Sequence, residues 1–237
     1  MFSRVLTHEI RNILREKMYL FFLIYPVVLL ALSLWLVPYL RVNVNDLSAN
    51  IFIMMLILMT SFIYGAITGF TLLDDQDDHV LFALRVTPVK LNYYVTIKLL
   101  VSYLFGFIAT LIVLMITNFL NAQLIDLLLI AILSSLQAPL IALIVNAFAS
   151  NKVEGFVVMK GSGLILLVPI AALFINHWTE TLLGIVPGFW VAKMISIILI
   201  PNDYLFNIYG YFGFGITINL FYIYVLYKIY LNRITRN

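Results

Sequence analysis

Long apolar runs alternate with short polar stretches along the whole chain, and this alternation predicts the elements. Six of the runs are close to the length of about 20 residues that a helix needs to cross a bilayer. Because a backbone in hydrocarbon has no water to bond with, each run is predicted to be a transmembrane helix. The predicted spans are residues 19–40, 51–73, 94–119, 127–149, 156–176 and 208–231.

A further apolar stretch, within residues 177–207, is predicted to be a broken pair of helices and not a seventh span. It contains Pro187-Gly188, and proline interrupts a helix. With six spans, 12 of the 14 lysines and arginines lie on one side of the membrane, leaving only Arg41 and Lys193 opposite. Basic residues stay cytoplasmic, so both termini are predicted to be cytoplasmic and the helix pair to be re-entrant from the outer side.

Residues 1–18, before the first span, have the pattern of an amphipathic helix. Arg4, His8, Arg11 and Arg15 are spaced by four, three and four positions, which places them on one stripe of a helix. A basic stripe of this kind is attracted to anionic lipid headgroups. The segment is therefore predicted to lie on the membrane surface, as an anchor, a contact for a cytoplasmic partner, or both.

The polar stretch after the second span is the most charged part of the chain. Four aspartates fall within five positions, namely Asp74, Asp75, Asp77 and Asp78. Such a concentration of charge is excluded from hydrocarbon, so residues 74–92 are predicted to form a water-exposed cytoplasmic loop. Within it, residues 80–86 have an amphipathic pattern that ends before Thr87-Pro88, which predicts a short surface helix.

Composition agrees with an integral membrane protein. Of the 237 residues, 64% are hydrophobic and only 11% are charged, whereas a soluble domain has roughly 25% charged residues. The absence of cysteine excludes disulfides and thiolate metal sites. Every long segment is apolar, which predicts one membrane domain over residues 19–237.

Motifs for chemistry or for an internal energy source are missing from the sequence. Lys160-Gly161-Ser162-Gly163 does not have the order of a nucleotide-binding P-loop. The predicted spans place no aspartate or glutamate deep in the membrane, and Lys98 and Lys160 lie near enough to its surface to extend their amines to water. We therefore expect no catalytic, metal or cofactor site in this chain, and the residues give little support to ion-coupled transport.

Three local patterns accompany the amphipathic helix and the six spans. They are Leu-Arg-Val-Thr-Pro at residues 84–88, Asn-Lys-Val-Glu-Gly at residues 151–155, and Ile-Val-Pro-Gly-Phe-Trp at residues 185–190. With these patterns the chain resembles, over nearly its whole length, the transmembrane subunit of an ABC transporter of the ABC-2-type permease family.

The resemblance implies separate cytoplasmic ATPase subunits, which hold ATP and magnesium and act on this chain through a coupling helix. The residues implied to contact the ATPase are Asp77, Asp78, Val80, Leu81, Leu84, Arg85, Thr87, Arg4, Arg11 and Arg15. A second cytoplasmic loop is implied at Asn151, Lys152, Glu154 and Gly155. The re-entrant extracellular helices are implied at Pro187, Gly188 and Trp190.

The resemblance also implies a second permease chain, identical or related, and ATP-driven export from the cell. The short outer loops favour a hydrophobic drug or an amphipathic peptide as the substrate, and nothing indicates a nucleic acid. Two alternatives remain open. One is a membrane receptor or immunity protein that sequesters a toxic peptide without transport, and the other is an ion-coupled carrier.

Overall fold

Helices account for most of the chain that the structure describes. The computed structural model describes residue 11 and residues 17–80, 90–165, 167–175 and 177–236. The helices are α1 (Lys17–Asn43), α2 (Asp46–Asp77), α3 (Leu91–Thr117), α4 (Leu124–Ser135), α5 (Gln137–Phe148), α6 (Lys152–Ile165), α7 (Glu180–Leu183), α8 (Pro187–Leu199) and α9 (Ile208–Arg236), with a 3₁₀ helix at Val168–Leu173.

Six helical segments in these described ranges are long and apolar enough to cross a membrane. They are α1, α2, α3, α4 together with α5, α6 together with the 3₁₀ helix, and α9. The prediction of an all-helical protein with six spans is therefore confirmed. The remaining apolar helix, α8, has 13 residues and is too short to cross a bilayer in a straight line.

The stretch before the last span is a pair of helices, with α7 and α8 separated by residues 184–186. Pro187 is the first residue of α8. Proline suits this position because the first turn of a helix has no internal partner for its N–H group. The predicted interruption at Pro187-Gly188 thus lies at the start of the second helix, and not within a helix.

The centre of the bundle is α2, which packs against α1, α3, α5 and α6. Every residue from 60 to 75 except Tyr64 is buried. A helix that is buried on nearly all sides must be mostly apolar all round, and most residues of this length are apolar. The exceptions are small hydroxyl residues and, at its carboxyl-terminal end, Asp74 and Asp75. α2 is therefore the helix through which most of the other spans are connected.

Two glycines on α2 allow α5 to approach it closely. A Cβ atom added to Gly65 would lie 2.4 Å from the backbone oxygen of Ala138, and one added to Gly69 would lie 3.2 Å from the Cβ of Val145. Two glycines four residues apart lie on the same face of a helix and bring helix backbones together in membrane proteins. The Gly-x-x-x-Gly sequence is therefore a packing contact here.

Polar side chains in the interior bond from one helix to the next. Where α4 passes into α5, the side chain of Gln137 donates to the Oδ1 atom of Asn219 on α9 at 3.0 Å. The side chain of Asn146 donates to the backbone oxygen of Gly69 at 2.9 Å. Such bonds are the ones that polar residues form when water is absent, and they hold α5 to both α2 and α9.

By contrast, α1 and α9 expose much of their apolar surface. On α1 the side chains of Phe21, Val27 and Trp35 are about two-thirds exposed, at 64%, 65% and 66%. On α9, Phe221 is 62% exposed. Apolar side chains facing outward around a bundle are those expected to contact lipid or a second protein.

Candidate functional site

We call the end of the bundle at which α1 begins and α9 finishes the terminal end. Two of the aspartates there are not exposed to water as predicted. Asp74 and Asp75 are not in a water-exposed loop, because α2 continues to Asp77 and buries both side chains, which are 8% and 2% exposed. Two residues after the helix ends, His79 has a positive φ of 57°, although it is not glycine. The prediction for these two aspartates was wrong because their charge is neutralised by neighbouring helices.

Asp75 is bonded to α3. Its Oδ2 atom lies 2.6 Å from the Nζ atom of Lys98 and accepts a hydrogen bond from the hydroxyl of Tyr94 at 2.9 Å. The Nζ atom of Lys98 also lies 3.4 Å from the backbone oxygen of Thr71. Lys98 is 1% exposed, so the expectation that its amine extends to water was wrong. A buried charge is stable only when it is paired in this way.

Asp74, one position earlier, is bonded to α1 and α6. The hydroxyl of Tyr19 donates to its Oδ2 atom, and the Nζ atom of Lys152 lies 2.7 Å from its Oδ1 atom. We call these six side chains the charged cluster: Tyr19, Asp74, Asp75, Tyr94, Lys98 and Lys152. The cluster joins the end of α2 to the beginnings of α1, α3 and α6.

The predicted second cytoplasmic loop forms the first turn of α6, which begins at Lys152, four residues before the predicted span. The Oδ1 atom of Asn151 accepts from the N–H of Glu154 at 3.0 Å, and the Glu154 carboxylate accepts from the N–H of Ser150 at 2.7 Å. This reciprocal arrangement resembles a capping box, which satisfies backbone donors at a helix start. A Cβ atom on Gly155 would lie 2.7 Å from Leu73, so the turn packs directly on α2.

The end of α9 completes the terminal end of the bundle. Gln76 donates to Asn146 at 3.0 Å and to the hydroxyl of Tyr230 at 3.2 Å. The guanidinium of Arg233 donates to the backbone oxygens of residues 146, 147 and 149 at 3.0, 3.1 and 2.8 Å. Carbonyl groups at the end of a helix lack internal partners and attract a cation, so Arg233 caps α5.

A second buried ion pair lies at the opposite end of the bundle. Glu180 of α7 and Lys193 of α8 are 1% and 0% exposed, and the Nζ and Oε2 atoms are 2.6 Å apart. The hydroxyl of Tyr211 also donates to Glu180. Tyr204 follows α8 in the chain, and its pKa is raised to about 12, mainly by burial and to a smaller extent by the charge of Glu180. These bonds fix the short helices α7 and α8 to each other and to α9.

The residues predicted for the re-entrant helices are all at this end. Trp190 is 4% exposed and its indole N–H donates to the backbone oxygen of Gly184 at 2.7 Å. Gly188 is buried, and a Cβ atom there would lie 3.1 Å from Pro169. Together with Pro187 they keep the α7–α8 connection packed against the bundle. Which side of a membrane this end faces stays a prediction.

Two acidic side chains are buried in the protein, although neither lies in the middle of one of the six spans. Asp75 lies in a helix long enough to span, and Glu180 lies beside α8. Both carboxylates are buried, and each has a lysine partner. Within the described part of the chain, no group of three or more histidine, aspartate or glutamate side chains is arranged to hold a metal ion.

Of the residues predicted to contact an ATPase, some lie inside the described ranges and others lie outside them. Asp77, Asp78 and Arg11 are exposed, and Val80 is partly buried. The side chains outside the described ranges are Leu81, Leu84, Arg85, Thr87, Arg4 and Arg15. Most of the helix predicted over residues 80–86, and of the amphipathic segment 1–18, is likewise outside. The structure does bring Lys152, from the predicted second cytoplasmic loop, into contact with Asp74, at the start of the predicted coupling loop.

Tyr19, Tyr94 and Arg233 were not predicted to be site residues. A signal was present, because all three lie near the ends of apolar runs on the side predicted to hold the aspartates. Aromatic hydroxyls and cations close to buried acids are the groups that can stabilise them. The pairing itself depends on how the helices pack.

Six segments of the described chain are able to cross a bilayer, and one of them is the buried central helix α2, which defines a multi-pass membrane protein. The chain matches the family described as "Rv2686c-like: Fluoroquinolones export permease protein Rv2686c-like" over residues 9–227. It therefore belongs to this family of membrane permeases of the exporter type.

Two curated relatives come from Mycobacterium tuberculosis. They are the fluoroquinolones export permease proteins Rv2686c (strain ATCC 25618 / H37Rv) and MT2760 (strain CDC 1551 / Oshkosh). Each is 26% identical to this chain over 140 residues, which cover 58% of the chain and 56% of the relative. The match thus spans little more than half the length of these relatives. No solved structure matches the chain.

Proposed function

We propose that this chain is the transmembrane permease subunit of an ATP-driven exporter, and that it moves a hydrophobic or amphipathic drug out of the cell. Family membership and the names of the relatives support the export of a drug. The resemblance to ABC-2-type permeases supports a separate ATPase subunit and a second permease chain. In this proposal the terminal end of the bundle faces the cytoplasm, as the distribution of basic residues predicts.

The observation that carries the proposal is the charged cluster. Asp74 and Asp75 lie in the last turn of α2, just before the chain leaves this helix after Asp77, and these two side chains are bonded to α1, α3 and α6. A force that an ATPase applies to the chain at this point would therefore reach four helices at once. Because α2 is also the central helix of the bundle, its displacement would alter the packing along the route of the substrate.

The test uses the Asp74–Lys152 ion pair, which is partly accessible and has 11% and 36% of its side chains exposed. The chain is co-purified with its P-loop ATPase and reconstituted, and the fluoroquinolone-stimulated ATPase rate is measured. Asp74→Asn and Lys152→Gln should each reduce the stimulation several-fold, while the exchanged pair Asp74→Lys with Lys152→Asp should recover part of it. Asp46→Asn, at the exposed opposite end of α2, is the control. Full stimulation in both single variants would contradict the assignment of the cluster.

A second candidate function, an ion-coupled carrier, is favoured by the two buried carboxylates. Asp75 and Glu180 are ionisable groups of the kind that proton-coupled transporters use within the membrane. Each is bonded to a lysine, which favours a structural role. Drug uptake into inverted vesicles distinguishes the two functions: a carrier stops when a protonophore collapses the proton gradient, and an ATP-driven exporter stops when ATP is removed.

A further inference from the structure

A groove opens on the side of the bundle between α3, the start of α5, and α9. Its volume is about 490 Å³, within the range of roughly 300–1,000 Å³ that small-molecule sites have. Its wall includes Leu99 and Tyr103 of α3, Pro139 of α5, and Leu220 and Tyr224 of α9. The wall is therefore mostly apolar, with aromatic rings from two helices.

The groove becomes polar towards the terminal end of the bundle. There the hydroxyls of Thr96 and Tyr227 lie 2.9 Å apart, and Tyr227 also donates to the backbone oxygen of Asn92 at 3.0 Å. The Nζ atom of Lys228 lies 4.5 Å from the centre of the Tyr224 ring. Lys228 is exposed and does not line the groove itself, but it places a cation beside one of the lining rings. An apolar, aromatic wall that ends in hydroxyls, with a cation beside it, complements a ligand with a flat aromatic body and one acidic group.

The groove is open sideways, where a bilayer would surround the bundle. Leu100, Leu220 and Tyr224, which line it, are 44%, 50% and 55% exposed. From Thr96 the groove reaches Pro139, two residues from the interior bond between Gln137 and Asn219. A molecule dissolved in one leaflet could thus enter from the side and reach the polar interior of the bundle.

We propose that this groove binds the transported drug, a flat aromatic amphiphile with a carboxylate, and admits it from the inner leaflet. The inference rests on the proposed function, which makes the chain a drug exporter and places the terminal end in the cytoplasm. Fluoroquinolones, the compounds in the names of the relatives, have this chemistry. Tyr103, Tyr224 and Tyr227 offer rings for stacking, which a lipid tail does not use.

The test is equilibrium binding of a radiolabelled fluoroquinolone to the full chain, with its partner subunits, in lipid nanodiscs. Leu100→Trp places an indole in the groove and should weaken binding at least ten-fold. Leu104→Trp is the matched control, because Leu104 is one turn further along α3, is 42% exposed and does not line the groove. Leu220→Trp, on α9, provides a second filling variant in case the first fails to fold.

The acidic group of the ligand is tested separately. Lys228→Gln should weaken binding of the fluoroquinolone three- to five-fold, and it should have no effect on an analogue that lacks the carboxylate. Lys160→Gln, on the exposed surface of α6, controls for loss of a positive charge elsewhere. An equal effect of Lys228→Gln on both compounds would contradict the role of the cation.

The remaining outcomes each decide the inference. Wild-type affinity in both filling variants, or no binding to the wild type, would overturn it. If Leu100→Trp converts a dimeric permease to a monomer, the groove is an interface between chains and the inference is wrong. If Leu100→Trp loses a bound phospholipid while drug binding is unchanged, the groove binds lipid and the inference is also wrong. ATP-driven export that persists in the filling variants would refute the groove and leave the proposed function intact. Groove binding without ATP-driven export would refute the function alone.

Discussion

Removal of the Lys98 amine is expected to destabilise the protein strongly. In Lys98→Met the Asp75 carboxylate loses the cation 2.6 Å away, while the hydroxyl of Tyr94 remains at 2.9 Å. Asp75 is 2% exposed, so water cannot replace the amine. Breaking a buried pair by removing one partner costs about 3–5 kcal/mol, mainly because an unpaired charge stays buried.

The second variant separates the charge from the shape of the site. Asp75→Asn combined with Lys98→Met leaves no charge at this pair and keeps an acceptor for Tyr94, so most of the loss of stability should be recovered. The free energy of unfolding is measured by detergent titration and followed through tryptophan fluorescence. Lys160→Met, on an exposed side chain, should be near neutral. If the double variant is as unstable as Lys98→Met, the loss comes from packing and the reasoning about charge fails.

Three other substitutions test the packing. Gly65→Ala should cost about 1–3 kcal/mol, since its methyl group would lie 2.4 Å from a backbone oxygen of α5. Gly161→Ala is the control, because a Cβ atom added there has no other atom within 4 Å, and it should not lower the thermal unfolding midpoint. Equal losses of stability in the two variants would refute the close approach of α5 to Gly65. Arg233→Gln should speed hydrogen exchange in the last turn of α5, which it caps; unchanged exchange would contradict this. Trp190→Phe removes the donor to residue 184 and should cost about 1 kcal/mol in the same unfolding assay, whereas wild-type stability would show that the bond contributes nothing.

The number and the class of the spans could be predicted from the sequence because a single physical requirement determines them. A backbone in hydrocarbon must bond within its own helix, and the length of each apolar run records this requirement. The ends of the helices were predicted less well. For example, α2 begins at Asp46 and not at residue 51, because the side chain of Asn45 accepts from the N–H of Ser48 at 2.7 Å and caps the helix.

The charged cluster could not be predicted from the sequence, because its members come from four helices. Aspartates are excluded from an apolar environment unless cations or hydrogen-bond donors are there to pair with them. Asp75 finds Lys98 on α3, and Asp74 finds Lys152 on α6. Neither pairing has a local signal, since both depend on how α3 and α6 pack beside α2. Lys152 was placed in a functional region, but its bond to Asp74 was not expected.

The Asp74–Lys152 bond has a consequence for the way the protein is made. Lys152 leaves the ribosome only after α2, α3, α4 and α5 have been synthesised. Until then, the carboxyl-terminal turn of α2 lacks one of the cations that permit its burial, while its apolar length already favours the lipid. Biogenesis should therefore pass through a stage in which this turn remains at the water surface and is drawn into the protein when α6 arrives.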